Sequence, residues 1–348
     1  MSNNHFNYFR VKNFKRFKDL EVKDIGQFNL VLGDNNVGKT SLLEALTTSE
    51  ERDFDRHIGY LVMLFKSKGL GTSLESNFWK YYFNYQSDKQ DNKVEFRIGG
   101  ENFLFLRHLE LTQNSLVFGD TPDLSYLSMR KREGAWVQEN SVKHKLGVLL
   151  EFGKETSVPL MPFASGLGGL VLNTYREIVQ YDKDLRGKLL RFIRAMFSEI
   201  EDLEMTINKY NESSIVVFTR NSAKGIDLAY FGEGLIKVFN VLMFVLEFRN
   251  KSLAIDEIDA GIHYSRMKDY WKVILQSAWE NNVQLFATTH NRECIQYYME
   301  ALEELGDEYK EKARSIRLVE HAQTREIISF TSMIGEMKED FAVGNELR

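Results

Sequence analysis

The sequence predicts an α/β protein, a parallel sheet flanked by helices, with a mixed or antiparallel β lobe and a helical insertion. Three observations carry this. Apolar runs at Phe28–Leu32, Leu253–Ile255 and Val283–Ala287 each lead into polar residues and then a helical pattern, the alternation that builds a parallel sheet with helices on its faces. From 93 to 119 the pattern changes to short strands, KVEFRIG, ENFLFLRHLEL and NSLVFGD, with turn signals at Gly99–Gly100 and Gln113–Asn114, which reads as antiparallel sheet. Residues 171–203 are helical, with Leu185, Leu189, Phe192, Ile193, Met196 and Phe197 on one face.

The chain has 348 residues, 43% of them hydrophobic, enough for one elaborate domain or two. The formal charge is −5 and the pI about 5.9, so any nucleic-acid surface must be local. Cys294 is the only cysteine, which excludes an intramolecular disulfide or a cysteine-based zinc site and fits a reducing compartment. No apolar run reaches the length of a membrane span, and MSNNHFNYFR lacks the design of a signal peptide. A cytoplasmic protein without a membrane partner is expected.

The strand at Phe28 runs into Gly33-Asp34-Asn35-Asn36-Val37-Gly38-Lys39-Thr40, with Ser41 next. This is G-x-x-x-x-G-K-[ST], the phosphate-binding loop. Gly33 and Gly38 allow turns that a Cβ resists. The loop N–H groups converge on phosphate oxygens, Lys39 supplies a charge for the β- and γ-phosphates, and Thr40 offers a hydroxyl to Mg²⁺. Leu42, Leu43, Ala45 and Leu46 follow at helical spacing, so the positive end of a helix faces the nucleotide.

Before this loop, Asn7 to Val22 reads as a hairpin around a Lys/Arg turn. Its Lys12, Lys15, Arg16 and Lys18 either touch an acidic polymer or form a solvated face. After it, His57–Lys66 reads as helix and Phe78–Gln86 as an aromatic core stretch ending in polar residues. Met161–Gly169 is Gly-rich without a G-K-[ST] ending, and a strand leaving the sheet into a loop suits it better than a second phosphate loop. In the helical segment, Arg186, Arg191 and Arg194 are either a phosphate-backbone contact or a solvated face. Ser213–Tyr230 reads as a hairpin leading to Phe231-Gly232-Glu233-Gly234 and a helix apolar nearly all round. RSIRLVEH and REIISFT form a final hairpin, followed by a short helix. Residues 1–50 and 205–348 are expected to form one core from both chain ends, with 51–160 a β lobe and 161–204 a helical arm.

Ligands bind beyond the carboxyl ends of strands in such sheets. The strand ends at Gly33, Asp256–Glu257 and Thr288-Thr289-His290 should therefore converge. Asp256 suits Mg²⁺, Glu257 is placed to orient or deprotonate a water, and His290 to contact the γ-phosphate or order that water.

GDNNVGKTSLLEAL, FGEGLIKVFNVLMFVLE, LAIDEIDAGIHYS and LFATTH occur in this order. Together they resemble the ABC-type P-loop NTPase heads of the RecF/SMC class, most closely the small OLD-like bacterial ATPases often found beside nuclease or other effector genes. The likeness covers about 1–50 and 225–295. It implies ATP and Mg²⁺ as cofactors, Lys39 and Thr40 as the phosphate-loop pair, Asp256 as the magnesium residue, Glu257 as the base and His290 as the switch histidine. Gly232, Glu233 and Gly234 become the signature stretch that reaches the ATP of a second copy, with Asp259 to His263 facing that copy. Asn84 or Gln86 becomes the nucleotide-sensing position.

Two departures stand out. Tyr230 occupies the place where the signature usually has a serine, which implies slow turnover or a different dimer. Only 28 residues follow Glu320, too few for an appended nuclease domain, so cleavage chemistry would come from another chain. The resemblance implies an ATPase switch that forms a homodimer or higher homo-oligomer and controls a separate effector, a nuclease or toxin, in anti-phage defence. The alternatives are a DNA-binding repair ATPase and a non-catalytic ATP-binding scaffold.

Overall fold

The computed structural model describes residues 5–49, 93–99, 103–112, 121–132, 135–145, 160–161, 169–207 and 213–342. The His57–Lys66 segment, the aromatic stretch with Asn84 and Gln86, and the residues between Met161 and Gly169 lie outside them.

The central sheet contains β3 (Phe28–Leu32), β8 (Leu160–Met161), β12 (Ser252–Ile255), β13 (Gln284–Thr288), β14 (Ala313–Glu320) and β15 (Ile327–Met333). Its order is β15-β14-β3-β13-β12-β8, and every pairing is parallel except β14 with β15. Every residue of β3, β12 and β13 is buried, as a sheet covered on both faces requires. The period-2 alternation of side chains divides them between two cores. Leu30, Leu32, Leu253, Ile255, Leu285 and Ala287 enter one, with the helices. Val31, Ala254, Phe286, Ile316 and Leu318 enter the other, beneath β1 (Tyr8–Phe14), β2 (Phe17–Val22) and the helix α1 (Lys39–Ser49).

β1 and β2 form the expected hairpin, and they belong to the β lobe. With β4 (Lys93–Gly99), β5 (Phe103–Thr112), β6 (Thr121–Arg132) and β7 (Ala135–Lys145) they make an antiparallel sheet of order β2-β1-β4-β5-β6-β7. A third sheet joins β9 (Ile200–Ile207), β10 (Ser213–Thr219) and β11 (Ser222–Asp227).

Among the described residues, the first helices after the β lobe are α2 (Gly169–Thr174) and, beyond a π-helical turn at Tyr175–Val179, α3 (Lys183–Met196). Asp182 caps α3 by accepting from the N–H groups of Asp184 and Leu185. Leu185, Leu189, Phe192, Ile193 and Met196 of α3 are buried in the same core as β3 and β12. Its three arginines are engaged within the chain. Arg186 donates to both carboxylate oxygens of Asp202 and to the Leu203 carbonyl, and Arg191 donates to both oxygens of Glu280. Arg194 donates to the Ile200 and Glu201 carbonyls. These contacts account for the three arginines without a nucleic acid. The later helices are α4 (Glu233–Glu247), α5 (Met267–Glu280), α6 (Arg292–Leu305), α7 (Asp307–Lys312) and α8 (Ile334–Ala342).

The hairpin charges are paired as well: Lys12 with Asp19, Arg16 with Glu320, Lys18 with Glu326. Lys15 goes furthest inward. It sits in the two-residue turn between Phe14 and Phe17 at φ 49°, and its ammonium pairs with Glu44 of α1, both side chains being buried. This pair ties the helix that follows the phosphate loop to the β lobe. Removing one partner strands the other charge, so Lys15→Met or Glu44→Gln should each cost about 3–5 kcal/mol in urea unfolding. The double substitution Lys15→Met/Glu44→Leu should recover most of that loss.

Candidate nucleotide site at the strand ends

The site follows from three neighbouring parallel strands, β3, β13 and β12. Their shared direction places Gly33, the Thr288–His290 segment and Asp256–Glu257 along one edge.

At β3, Gly33 has φ 143°, and a Cβ there would stand 2.5 Å from the Leu318 carbonyl oxygen. Gly38 has φ 112°, and a Cβ would stand 2.9 Å from the Phe17 ring. Neither place admits a larger residue without a shift. Asp34, Asn35 and Asn36 are exposed, while Val37 is buried beneath them. Arg16 donates to the Asn36 carbonyl, so the β1–β2 turn braces the crown of the loop. Lys39 is 9% exposed, and its ammonium donates to the loop carbonyls of Gly33 (2.6 Å) and Asp34 (3.0 Å). Burial lowers its pKa, against the opposing pull of Asp34, Asp256 and Glu257. A cation held in a curl of backbone, at the start of a helix, is a receptor for polyphosphate.

At β12, Asp256 accepts from the Thr40 hydroxyl at 2.8 Å and from the Thr288 hydroxyl at 2.5 Å. Thr288 also accepts from the Glu257 N–H at 2.8 Å. Glu257 has φ 47°, a left-handed conformation uncommon for a non-glycine residue and concentrated at functional sites. Its carboxylate lies 4.0 Å from the Nε2 of His290, and both side chains reach solvent. One residue further on, Thr289 donates to Asp259 at 2.7 Å. β13 thus fastens the loop after β12 at two successive threonines.

A nucleotide and its metal fit this arrangement. Lys39 rests on its own loop's carbonyls, where phosphate oxygens would replace them. Thr40 and Asp256 stand side by side as one hydroxyl and one carboxylate. Among the described residues no three His, Cys, Asp or Glu side chains gather to hold a metal. So small a donor set suits Mg²⁺, which keeps waters and takes the rest of its ligands from phosphates.

The structure brings together Gly33 to Ser41, Asp256, Glu257 and His290. Gly232, Glu233 and Gly234 lie at the start of α4. Gly232 (φ 91°) and Glu233 are exposed, and a Cβ on Gly234 would lie 3.6 Å from the Gly261 carbonyl oxygen. The Gly232–Gly234 turn therefore packs against the loop after Glu257. Tyr230, just before it, is 84% exposed. Sequence reading missed Thr288 as the tie between strands. Lys237, a lone lysine in LIKVFNVLMFVLE, is buried in α4.

No protein-family description matches the chain. Solved structures that match nearly all of it include two SMC heads. The SMC head bound to the C-terminal winged-helix domain of ScpA aligns with a TM-score of 0.55 at 10% identity, covering 96% of this chain and 99% of that one. The Pyrococcus furiosus Smc head with an extended coiled coil, bound to the C-terminal domain of ScpA, gives 0.51 at 8% identity, covering 97% and 99%. The fold is that of an SMC head domain. Among curated proteins, an ATP/GTP phosphatase of Helicobacter pylori is 24% identical over 334 residues, covering 85% of this chain and 88% of the relative. The head fold agrees with the RecF/SMC resemblance read from the sequence.

Thr288 offers a test of the site's construction. Thr288→Val keeps the shape but leaves the Glu257 N–H without an acceptor and Asp256 without one donor. The variant should lose about 1–3 kcal/mol in denaturant unfolding, whereas Thr288→Ser should stay close to the parent.

Proposed function

We propose that this protein is an Mg²⁺-dependent ATPase that works as a molecular switch, two copies closing on ATP and hydrolysis or release reopening them. The observation that carries the reading is the convergence of Lys39, Thr40, Asp256 and Glu257 on one edge of the parallel sheet, with Thr40 hydrogen-bonded to Asp256. Mg²⁺ bound there would neutralise charge on the β- and γ-phosphates. Lys39 and the loop N–H groups bind and orient the phosphates. Glu257, its backbone fixed by Thr288, holds the attacking water and takes its proton at a carboxylate oxygen, and His290 stands beside it to order that water. The relative's name, ATP/GTP phosphatase, supports a hydrolytic site.

The exposed signature turn supports closure by a second copy. In a single chain it lies against Gly261, and its helix N-terminus is available to another molecule's phosphates. Both aligned SMC heads were solved with ScpA, which supports a separate protein partner for a head of this kind. We place an effector, a nuclease or toxin acting in anti-phage defence, in that role. That step rests on the resemblance to the OLD-like ATPases, and co-purification with mass measurement tests it.

Glu257→Gln decides the enzymatic part. It should lower ATP turnover by about 10²–10⁴-fold, leave Mg²⁺–ATP binding intact and accumulate an ATP-dependent dimer in light scattering. An unchanged turnover rate would refute the assignment. Lys39→Ala should instead abolish nucleotide binding, read by equilibrium titration.

A further inference from the structure

Consecutive residues of the β1–β2 turn meet the phosphate loop and its helix. Lys15 pairs with Glu44 of α1, and Arg16 donates to the Asn36 carbonyl. The Phe17 ring lies so close to Gly38 that a Cβ there would stand 2.9 Å from it. Lys15 and Phe17 are buried, so the backbone of Arg16 is fixed from both sides. Its side chain stays partly exposed over the crown of the loop, beside the exposed Asp34, Asn35 and Asn36. A guanidinium carries five N–H donors. Here Nη1 is on the Asn36 carbonyl and Nη2 on Glu320 at 2.7 Å, and the other donors are free among the described residues. Lys39 rests on the Gly33 and Asp34 carbonyls of the same loop. Two cations thus lean on the backbone of one phosphate receptor. Glu320, at the end of β14, has a second partner: Arg325 Nε stands 2.8 Å from its other carboxylate oxygen. Departure of Arg16 would therefore not strand the Glu320 charge.

We propose that Arg16 is a nucleotide-binding residue and that Glu320 competes with the nucleotide for it. With polyphosphate in the loop, the guanidinium turns from Glu320 to phosphate oxygens, which a planar fork of donors pairs with well. Glu320 keeps Arg325, and the fixed backbone of the turn keeps Arg16 over the loop in both states. The β14–β15 turn thereby sets nucleotide affinity through one carboxylate. A simple brace between the hairpin and the loop would make the same contacts without ligand, and it differs in what Glu320 does to binding. The inference rests on the ATPase reading.

The test uses the full chain: the parent, Lys39→Ala, Arg16→Gln, Glu320→Gln and the double variant Arg16→Gln/Glu320→Gln. Equilibrium Mg²⁺–ATP titration and thermal melting without nucleotide are measured on each. Arg16→Gln should bind at least about tenfold more weakly than the parent. Glu320→Gln should bind more tightly, by about threefold or more, and the double variant should lose that gain and match Arg16→Gln. Parental binding in Arg16→Gln, beside a Lys39→Ala that does not bind, refutes the role of Arg16 and leaves the ATPase reading standing. A Glu320→Gln that binds no tighter than the parent makes the Arg16–Glu320 pair a brace. A gain that survives in the double variant makes Glu320 a repelling charge independent of Arg16. Either result overturns the proposal. Should Arg16→Gln melt lower, Glu320→Gln still decides, because losing a brace would not tighten binding. A parent that does not bind Mg²⁺–ATP, or one matched by Lys39→Ala, sinks the ATPase reading itself, and the role of Arg16 with it.

Discussion

Most of the site's geometry depends on one hydroxyl. Thr288 Oγ1 donates to Asp256 and accepts from the Glu257 N–H, so a single atom sets the side chain of one acidic residue and the backbone of the next. The arrangement works because β13 lies between β3 and β12. With β13 elsewhere in the order, the phosphate loop and the acidic pair would lose their common brace. The positive φ of Glu257 follows from the same constraint. Its N–H is directed at Thr288 while the Ile258 N–H reaches the Thr288 carbonyl, and these two bonds hold a conformation that a free glutamate would leave.

The charges around this brace compensate one another. Lys39 stands on the β3 side, buried and folded onto its own loop, and Lys237 on the α4 side, buried among apolar neighbours. Each is desolvated, and each has Asp256 and Glu257 among its opposing charges. Adding polyphosphate would draw Lys39 away from the Gly33 and Asp34 carbonyls toward a stronger partner. On the reading proposed above, Lys39 is thus set to respond to ligand.

The parallel core was legible because its strands are short apolar runs ending in functional residues, and no tertiary context was needed to read them. The same holds for β14 and β15, whose alternation is plain in RSIRLVEH and REIISFT. What sequence could not supply was the assignment of charge to partners. Arg186, Arg191 and Arg194 look alike in one dimension, yet each finds its own acceptor only after β9 and α5 are packed beside α3. Lys15 looks like a turn cation and is a buried member of an ion pair, because its partner Glu44 lies across the phosphate loop. The hairpin β1–β2 pairs through β1 with β4 and packs in one core with Val31, Ala254 and Phe286 of the central sheet, a double role that its sequence does not display.

The signature turn shows the limit from the other side. Gly232 has φ 91° and nothing stands where its Cβ would go, so packing within this chain does not demand glycine at that place. Backbone conformation does, and that conformation opens a helix N-terminus to solvent. Gly33 and Gly38 differ, since the Leu318 carbonyl and the Phe17 ring crowd them from within. The phosphate loop is shaped by its own chain. On the reading proposed above, the signature turn is shaped for something outside it, and the exposed Tyr230 beside it meets the same surface.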